Sequence, residues 1–154
     1  MFLGLSVAAL VVLVDQLSKV LVLKWLAENA YQPMTSFFSV VRAWNTGVSF
    51  SMLNNYGNIG AVLLSVLALL IVFMLFEWLR KEDNRLLQVA LGMIIGGALG
   101  NVVDRIRYGA VFDFLDFHLQ DMHWPAFNFA DSCICIGATI IIVQALAFNF
   151  VKRG

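Results

Sequence analysis

Three stretches of this chain, Ile59 to Phe76, Leu86 to Val103 and Ser132 to Val151, contain no charged residue over about 18 to 20 positions each, close to the ~20 residues a helix needs to cross about 30 Å of hydrocarbon. A fourth, Met1 to about Trp25, is apolar apart from a few polar side chains. Backbone in lipid must satisfy its own hydrogen bonds, so such stretches are helical. The solvent follows from composition. With 61% hydrophobic residues, 13% charged residues and a mean hydropathy of +0.85, the chain has too little polar surface to cover a soluble domain. The expected fold is an all-α membrane protein with four transmembrane helices, forming a single domain over residues 1–154. The expected spans are about 1–25, 59–76, 86–103 and 132–151. The first stretch lacks a basic leading region and a small-residue cleavage site, so it reads as an uncleaved span.

Orientation follows from Lys and Arg near the helix ends. Arg80, Lys81, Arg85, Lys152 and Arg153 share the cytoplasmic side if both termini face inward. The segments about 26–57 and 105–131 then lie outside. In the first, VSFSM alternates like a half-buried strand after the turn signal NTG, which predicts a small β-hairpin platform with Asn45 at its bend. The second mixes aromatics with aspartates as an interfacial stretch does. The net charge of zero and the lack of a Gly-rich phosphate loop argue against a nucleic-acid partner. Cys133 and Cys135 point to divergent helix faces, and no zinc-binding spacing of His and Cys is present. No metal or other cofactor is expected.

The informative residues are the polar ones that a membrane should exclude. Asp15 and Lys19 stand one turn apart in the first span, either as a self-neutralising pair or as part of a site. Gly92, Gly96 and Gly100 form a stripe for close helix contact, and Asn101, Asp104 and Arg105 follow it on one face. Asn128 and Asp131 have capping-box spacing, so Asp131 could simply cap the last helix. Asp113, flanked by Phe112 and Phe114, is poorly solvated, which raises a carboxyl pKa. Under the inward topology Asp15, Asn45, Asn101, Asp104, Arg105, Asp113, Asn128 and Asp131 all fall on the outer half, a clustering that independent caps and turns do not explain. No serine or cysteine stands in a nucleophile motif. Two close carboxylates, one protonated and one ionised, would activate water. A small proton-coupled transporter using Asp15 is the alternative, and a non-catalytic lipid-binding subunit is a weaker one.

DQLSK, NTGVSFS, GGALGNVVDR, VFDF and FNFAD, in this order across four spans, closely resemble the bacterial lipoprotein signal peptidases, the type II signal peptidases. The resemblance covers nearly the whole chain. It implies an aspartic peptidase of the bacterial cytoplasmic (inner) membrane that cleaves diacylglyceryl-modified prolipoproteins just before the lipidated cysteine. The catalytic pair falls on Asp113 and Asp131. Asn45, Asn101, Arg105 and Asn128 match the polar lining, with Asp15, Lys19 and Asp104 in support, and Gly47, Gly97 and Ala130 match positions where bulk would obstruct the site. The implied partners are lipid-modified prolipoproteins, membrane lipid and globomycin-type inhibitors, with the enzyme a monomer.

Overall fold

The computed structural model describes residues 1–26, 30–47 and 59–151, the last four of these by backbone alone. Four helices are long and apolar enough to cross a membrane. In chain order the elements are α1 (Phe2–Trp25), β1 (Tyr31–Pro33), β2 (Phe38–Asn45), α2 (Ile59–Lys81), α3 (Arg85–Tyr108), β3 (Val111–Leu119), β4 (Met122–His123) and α4 (Phe129–Val151). The helices run past the charge-free stretches into polar sequence at their ends. Asn84 caps α3 by accepting from the N–H of Leu86 at 2.9 Å, and Gly109, at φ 72°, ends it in the left-handed region.

Helix α3 is the centre of the bundle and packs against α1, α2 and α4. Its glycines explain how. A Cβ at Gly96 would stand 2.6 Å from the Ala8 carbonyl oxygen, one at Gly100 would stand 2.6 Å from Asp15 Oδ2, and one at Gly92 would strike the Gly4 carbonyl. The stripe therefore seats α1 directly on α3, backbone to backbone. Gly97, on another face, does the same for α4, since its Cβ would lie 2.5 Å from the Ala130 carbonyl oxygen. Ala8, Leu79, Leu91 and Ile95 fill the buried contact among the first three helices.

The strands form one antiparallel sheet in the order β1-β2-β3-β4, so the two segments outside the helices share a single platform. Among the described residues hairpins join β1 to β2 and β3 to β4; Asn45 is the last residue of β2, where the expected hairpin would bend. The strand expected over VSFSM lies outside the described residues. The second segment, expected as an interfacial stretch, contributes β3 and β4. Its sequence VFDFLDFHL does not alternate, because β3 is covered on both faces along most of its length.

Register between β2 and β3 positions the site. Val40 pairs with Leu115 but Ala43 pairs with Asp113, so three steps on β2 oppose two on β3. That is a β-bulge. Without it Trp44 would share the face of Asp113. With it Asn45, opposite Val111, comes onto that face, while Trp44 pairs with Phe112 and meets its ring in a tilted contact, centroids 5.3 Å apart.

Candidate active site

Two carboxylates from different elements meet where β3 passes the start of α4. Asp113 sits mid-strand on β3, 2% exposed. Asp131 lies in the first turn of α4. There it makes the expected capping box, accepting from the Asn128 N–H at 3.1 Å while its own N–H donates to Asn128 Oδ1 at 3.0 Å. The two acids share a partner. Asn128 is fully buried, and its side-chain Nδ2 donates to Asp113 Oδ1 at 2.7 Å. One residue thus holds one carboxylate through its amide and the other through its backbone.

Further donors complete the arrangement. Asn45 Nδ2 donates to Asp113 Oδ2 at 3.1 Å, while its Oδ1 accepts from the Gly47 N–H at 2.8 Å, so Asn45 shapes a turn and contacts the acid at once. Asn101 Nδ2 donates to Asp131 Oδ1 at 2.8 Å. Asn101 Oδ1 in turn accepts from Asn128 Nδ2 and from Lys19 Nζ, each at 3.2 Å. Burial is the largest influence on Asp113 and pushes its pKa up to about 6; the charge of Asp131 adds to the rise, and the hydrogen bonds from Asn45 and Asn128 oppose it.

Beneath the pair, Lys19 bridges Asp15 Oδ2 at 2.9 Å and Asp104 Oδ2 at 2.8 Å. The i,i+4 contact of Asp15 with Lys19 is made, and Lys19 also donates to Asn101. Arg105 lies close enough for its charge to act on Asp131, Asp113 and Asp104, yet it makes no ion pair among the described residues, and its buried Nε has no partner there. It lines a cavity of about 280 Å³ with Asn101. The rest of that wall is apolar, from Leu64 and Leu67 of α2, Ala98 of α3 and Ile134 of α4. Gly47, at φ 73°, occupies the left-handed region, and a Cβ there would meet the Leu64 side chain and approach Arg105 Nη2 to 3.9 Å. A larger groove of about 760 Å³ between α1, α2 and α3 is lined by apolar residues alone.

Every polar residue singled out from the sequence except Arg105 therefore joins one connected network, with Gly47 beside it and Ala130, fully buried, supplying a backbone N–H to Asp15. Gly97 differs from expectation in its means, because it sets the approach of α4 and does not border the cavity. Gln16 was missed. Its Nε2 donates to Asp15 Oδ2 at 3.1 Å and to Asp104 Oδ1 at 2.9 Å, and an uncharged amide inside a span was the signal available. Among the described residues no group of three or more His, Cys, Asp or Glu side chains is placed to hold a metal ion.

The chain matches known proteins over nearly its full length. Lipoprotein signal peptidase of Ralstonia nicotianae is 46% identical over 148 residues, covering 94% of this chain and 83% of that protein. The protein of the same description from Paraburkholderia phytofirmans is 43% identical over 145 residues, covering 92% and 83%. Two solved structures, each described as a bacterial membrane enzyme structure by the in meso method, superpose closely. The one at 2.3 Å gives a TM-score of 0.79 at 26% identity, covering 94% of this chain and 87% of that one. The one at 1.9 Å gives 0.81 at 27% identity, covering 93% and 92%. The sequence model of the family described as "Signal peptidase (SPase) II" matches residues 7–147, and the chain belongs to that family.

Proposed function

We propose that this protein is an aspartic endopeptidase of the bacterial inner membrane that removes the signal peptide from diacylglyceryl-modified prolipoproteins, cutting just before the lipidated cysteine. The observation that carries the reading is the pair Asp113 and Asp131, held from both sides by Asn128. The relatives named above are lipoprotein signal peptidases, which supports the substrate class.

The chemistry needs one carboxylate charged and one protonated. Asp131, in the first turn of α4, takes the role of the charged partner. Asp113 holds the proton, consistent with its raised pKa. Asp131 takes a proton from water as the oxygen attacks the scissile carbonyl, and Asp113 gives its proton to the carbonyl oxygen. On collapse of the tetrahedral intermediate, Asp113 recovers its proton and Asp131 delivers the other to the leaving amine. Arg105, unpaired among the described residues and facing a mainly apolar cavity, orients the substrate carbonyl. The apolar wall below it suits a signal helix or an acyl chain.

With both termini cytoplasmic, the sheet and the pair lie at the outer leaflet, where a translocated precursor presents its lipidated cysteine. Confinement of enzyme and substrate to one plane reduces a search in three dimensions to a positioning problem. A transporter coupled through Asp15 has less support. Asp15 is 0% exposed, with Oδ2 engaged by Lys19 and Gln16 and Oδ1 by the Ala130 N–H.

The test is purified protein in detergent, without a gradient, incubated with a lipid-modified precursor and read by gel shift. Cleavage is expected, and Asp113→Asn and Asp131→Asn should each abolish it while the protein remains folded. Activity surviving in either variant would remove the assignment. No cleavage of properly lipidated precursor would overturn the function.

A further inference from the structure

The buried charges under the hydrolytic pair are joined more tightly than neutralisation requires. Asp15 on α1 and Asp104 on α3 share two donors. Lys19 Nζ reaches both at 2.9 and 2.8 Å, and Gln16 Nε2 reaches both at 3.1 and 2.9 Å. Each carboxylate also accepts a backbone N–H from elsewhere. Asp15 Oδ1 takes that of Ala130 at 3.1 Å, and Asp104 Oδ2 takes that of Phe112 at 3.2 Å. Ala130 immediately precedes Asp131, and Phe112 immediately precedes Asp113.

Adjacent Cα atoms lie about 3.8 Å apart across a rigid trans peptide. A carboxylate that holds the N–H of one residue therefore holds the backbone of the next. We propose that Gln16 and Lys19 are positioning residues that lock Asp15 to Asp104 and thereby fix the separation of Asp113 and Asp131. This rests on the reading of Asp113 and Asp131 as the hydrolytic pair.

Energetics favour a geometric purpose. Two carboxylates and one ammonium are buried here, with Asp15 0%, Lys19 3% and Asp104 1% exposed. Burying such a group costs desolvation that well-packed apolar residues avoid, so stability alone is a poor reason for it. Space is reserved for it as well, since a Cβ at Gly100 would stand 2.6 Å from Asp15 Oδ2. Lys19 adds a further link by donating to Asn101 Oδ1 at 3.2 Å, whose amide holds Asp131.

The experiment measures kcat, KM, thermal midpoint and pH dependence for Gln16→Leu and Lys19→Met in the full-length protein with a lipidated precursor. None of the tied groups is assigned to the substrate, so KM should stay within about twofold, while kcat falls roughly tenfold for Gln16→Leu and about 100-fold for Lys19→Met. Gln16 carries no charge. The charged groups that act on Asp113, namely Asp131, Lys19 and Arg105, all remain in Gln16→Leu. A downward move of the Asp113 midpoint in that variant, followed by its infrared carboxyl band, then reports that the pair has separated or opened.

Wild-type kcat and an unchanged pH profile in folded Gln16→Leu would overturn the proposal, as would a loss of rate that tracks the unfolded fraction alone. If Lys19→Met does not fold, Gln16→Leu decides by itself. Inactive Asp113→Asn and Asp131→Asn beside a normal Gln16→Leu would refute the lock and leave the hydrolytic pair standing. Active dyad variants would remove both.

Discussion

Replacing Asn45 by alanine should carry the activity of this enzyme to higher pH. Asp113 titrates at about 6, mainly because burial disfavours its charge, and the hydrogen bond from Asn45 is the strongest influence that holds it down. That bond is 3.1 Å long and ends on Oδ2. A hydrogen bond to a charged group contributes about 1.5 to 3 kcal/mol. Asn45 is exposed, so water recovers part of this, and a remainder of about 1.4 kcal/mol corresponds to about one pH unit. The sign follows from the role of the proton. If Asp113 must be protonated, the competent form is present below its midpoint and is lost as pH rises through it. Removing a bond that favours the ionised form raises the midpoint. The alkaline limb of kcat/KM should therefore move up by about one unit, even as the maximal rate falls from poorer orientation of the carboxyl. The assay is cleavage of a lipidated precursor across the pH range, with each profile normalised to its own maximum. A limb that stays in place, or moves down, in correctly folded Asn45→Ala would refute the assignment of the proton to Asp113.

Gly97→Ala places a Cβ 2.5 Å from the Ala130 carbonyl oxygen, so the start of α4 must shift. A cost of about 1 to 3 kcal/mol in thermal stability is expected, with slower cleavage because Asp131 moves too, and wild-type behaviour in both would contradict the packing role. Chelators and thiol-alkylating reagents should leave cleavage intact, Cys133→Ala with Cys135→Ala should remain active, and a globomycin-type inhibitor should block the reaction. Zinc-reversible inhibition by a chelator would refute the metal-free mechanism. A cysteine at Asp121 should react with an impermeant maleimide from outside once the outer barrier is opened, whereas one at Asn84 should react only after the inner membrane is breached. The reverse pattern would invert the topology.

The membrane spans and the convergence of polar residues were legible because each breaks or obeys a simple pattern. Charge-free runs set the helices, and the Gly92, Gly96 and Gly100 stripe announced close packing. The sheet was harder to read. Phe112 and Phe114 cover one face of β3 while Asp113 is buried on the other, which erases the alternation that marks a strand. Pairing of β2 with β3 joins residues about 70 positions apart, and no local signal announces it. The bulge between Val40 and Ala43 decides that Asn45 and not Trp44 faces Asp113, and a one-residue register is invisible without the partner strand. Gln16 was hidden for a related reason. Its partner Asp104 lies 88 residues away, and a single amide in an apolar span looks incidental until the facing helix is known.

The way α3 carries the bundle has a consequence for biogenesis. Chain order delivers α1 and α2 to the bilayer before α3 has been made, yet these two share no extensive interface among the described residues and touch where Leu79 lies over Gly4. The first half must therefore wait in lipid without its packing partner. During that wait Asp15 and Lys19 would be the costliest groups in the membrane. Their spacing of one turn lets them neutralise each other within α1 alone, so the span enters before Asp104 exists to receive the lysine. The arrival of α3 then docks α1 through its glycines and gives Lys19 its second carboxylate, and α4 closes last with Asp131. If the helices insert in chain order, Lys19 would serve first as the counter-ion of Asp15 within its own helix and only later meet Asp104.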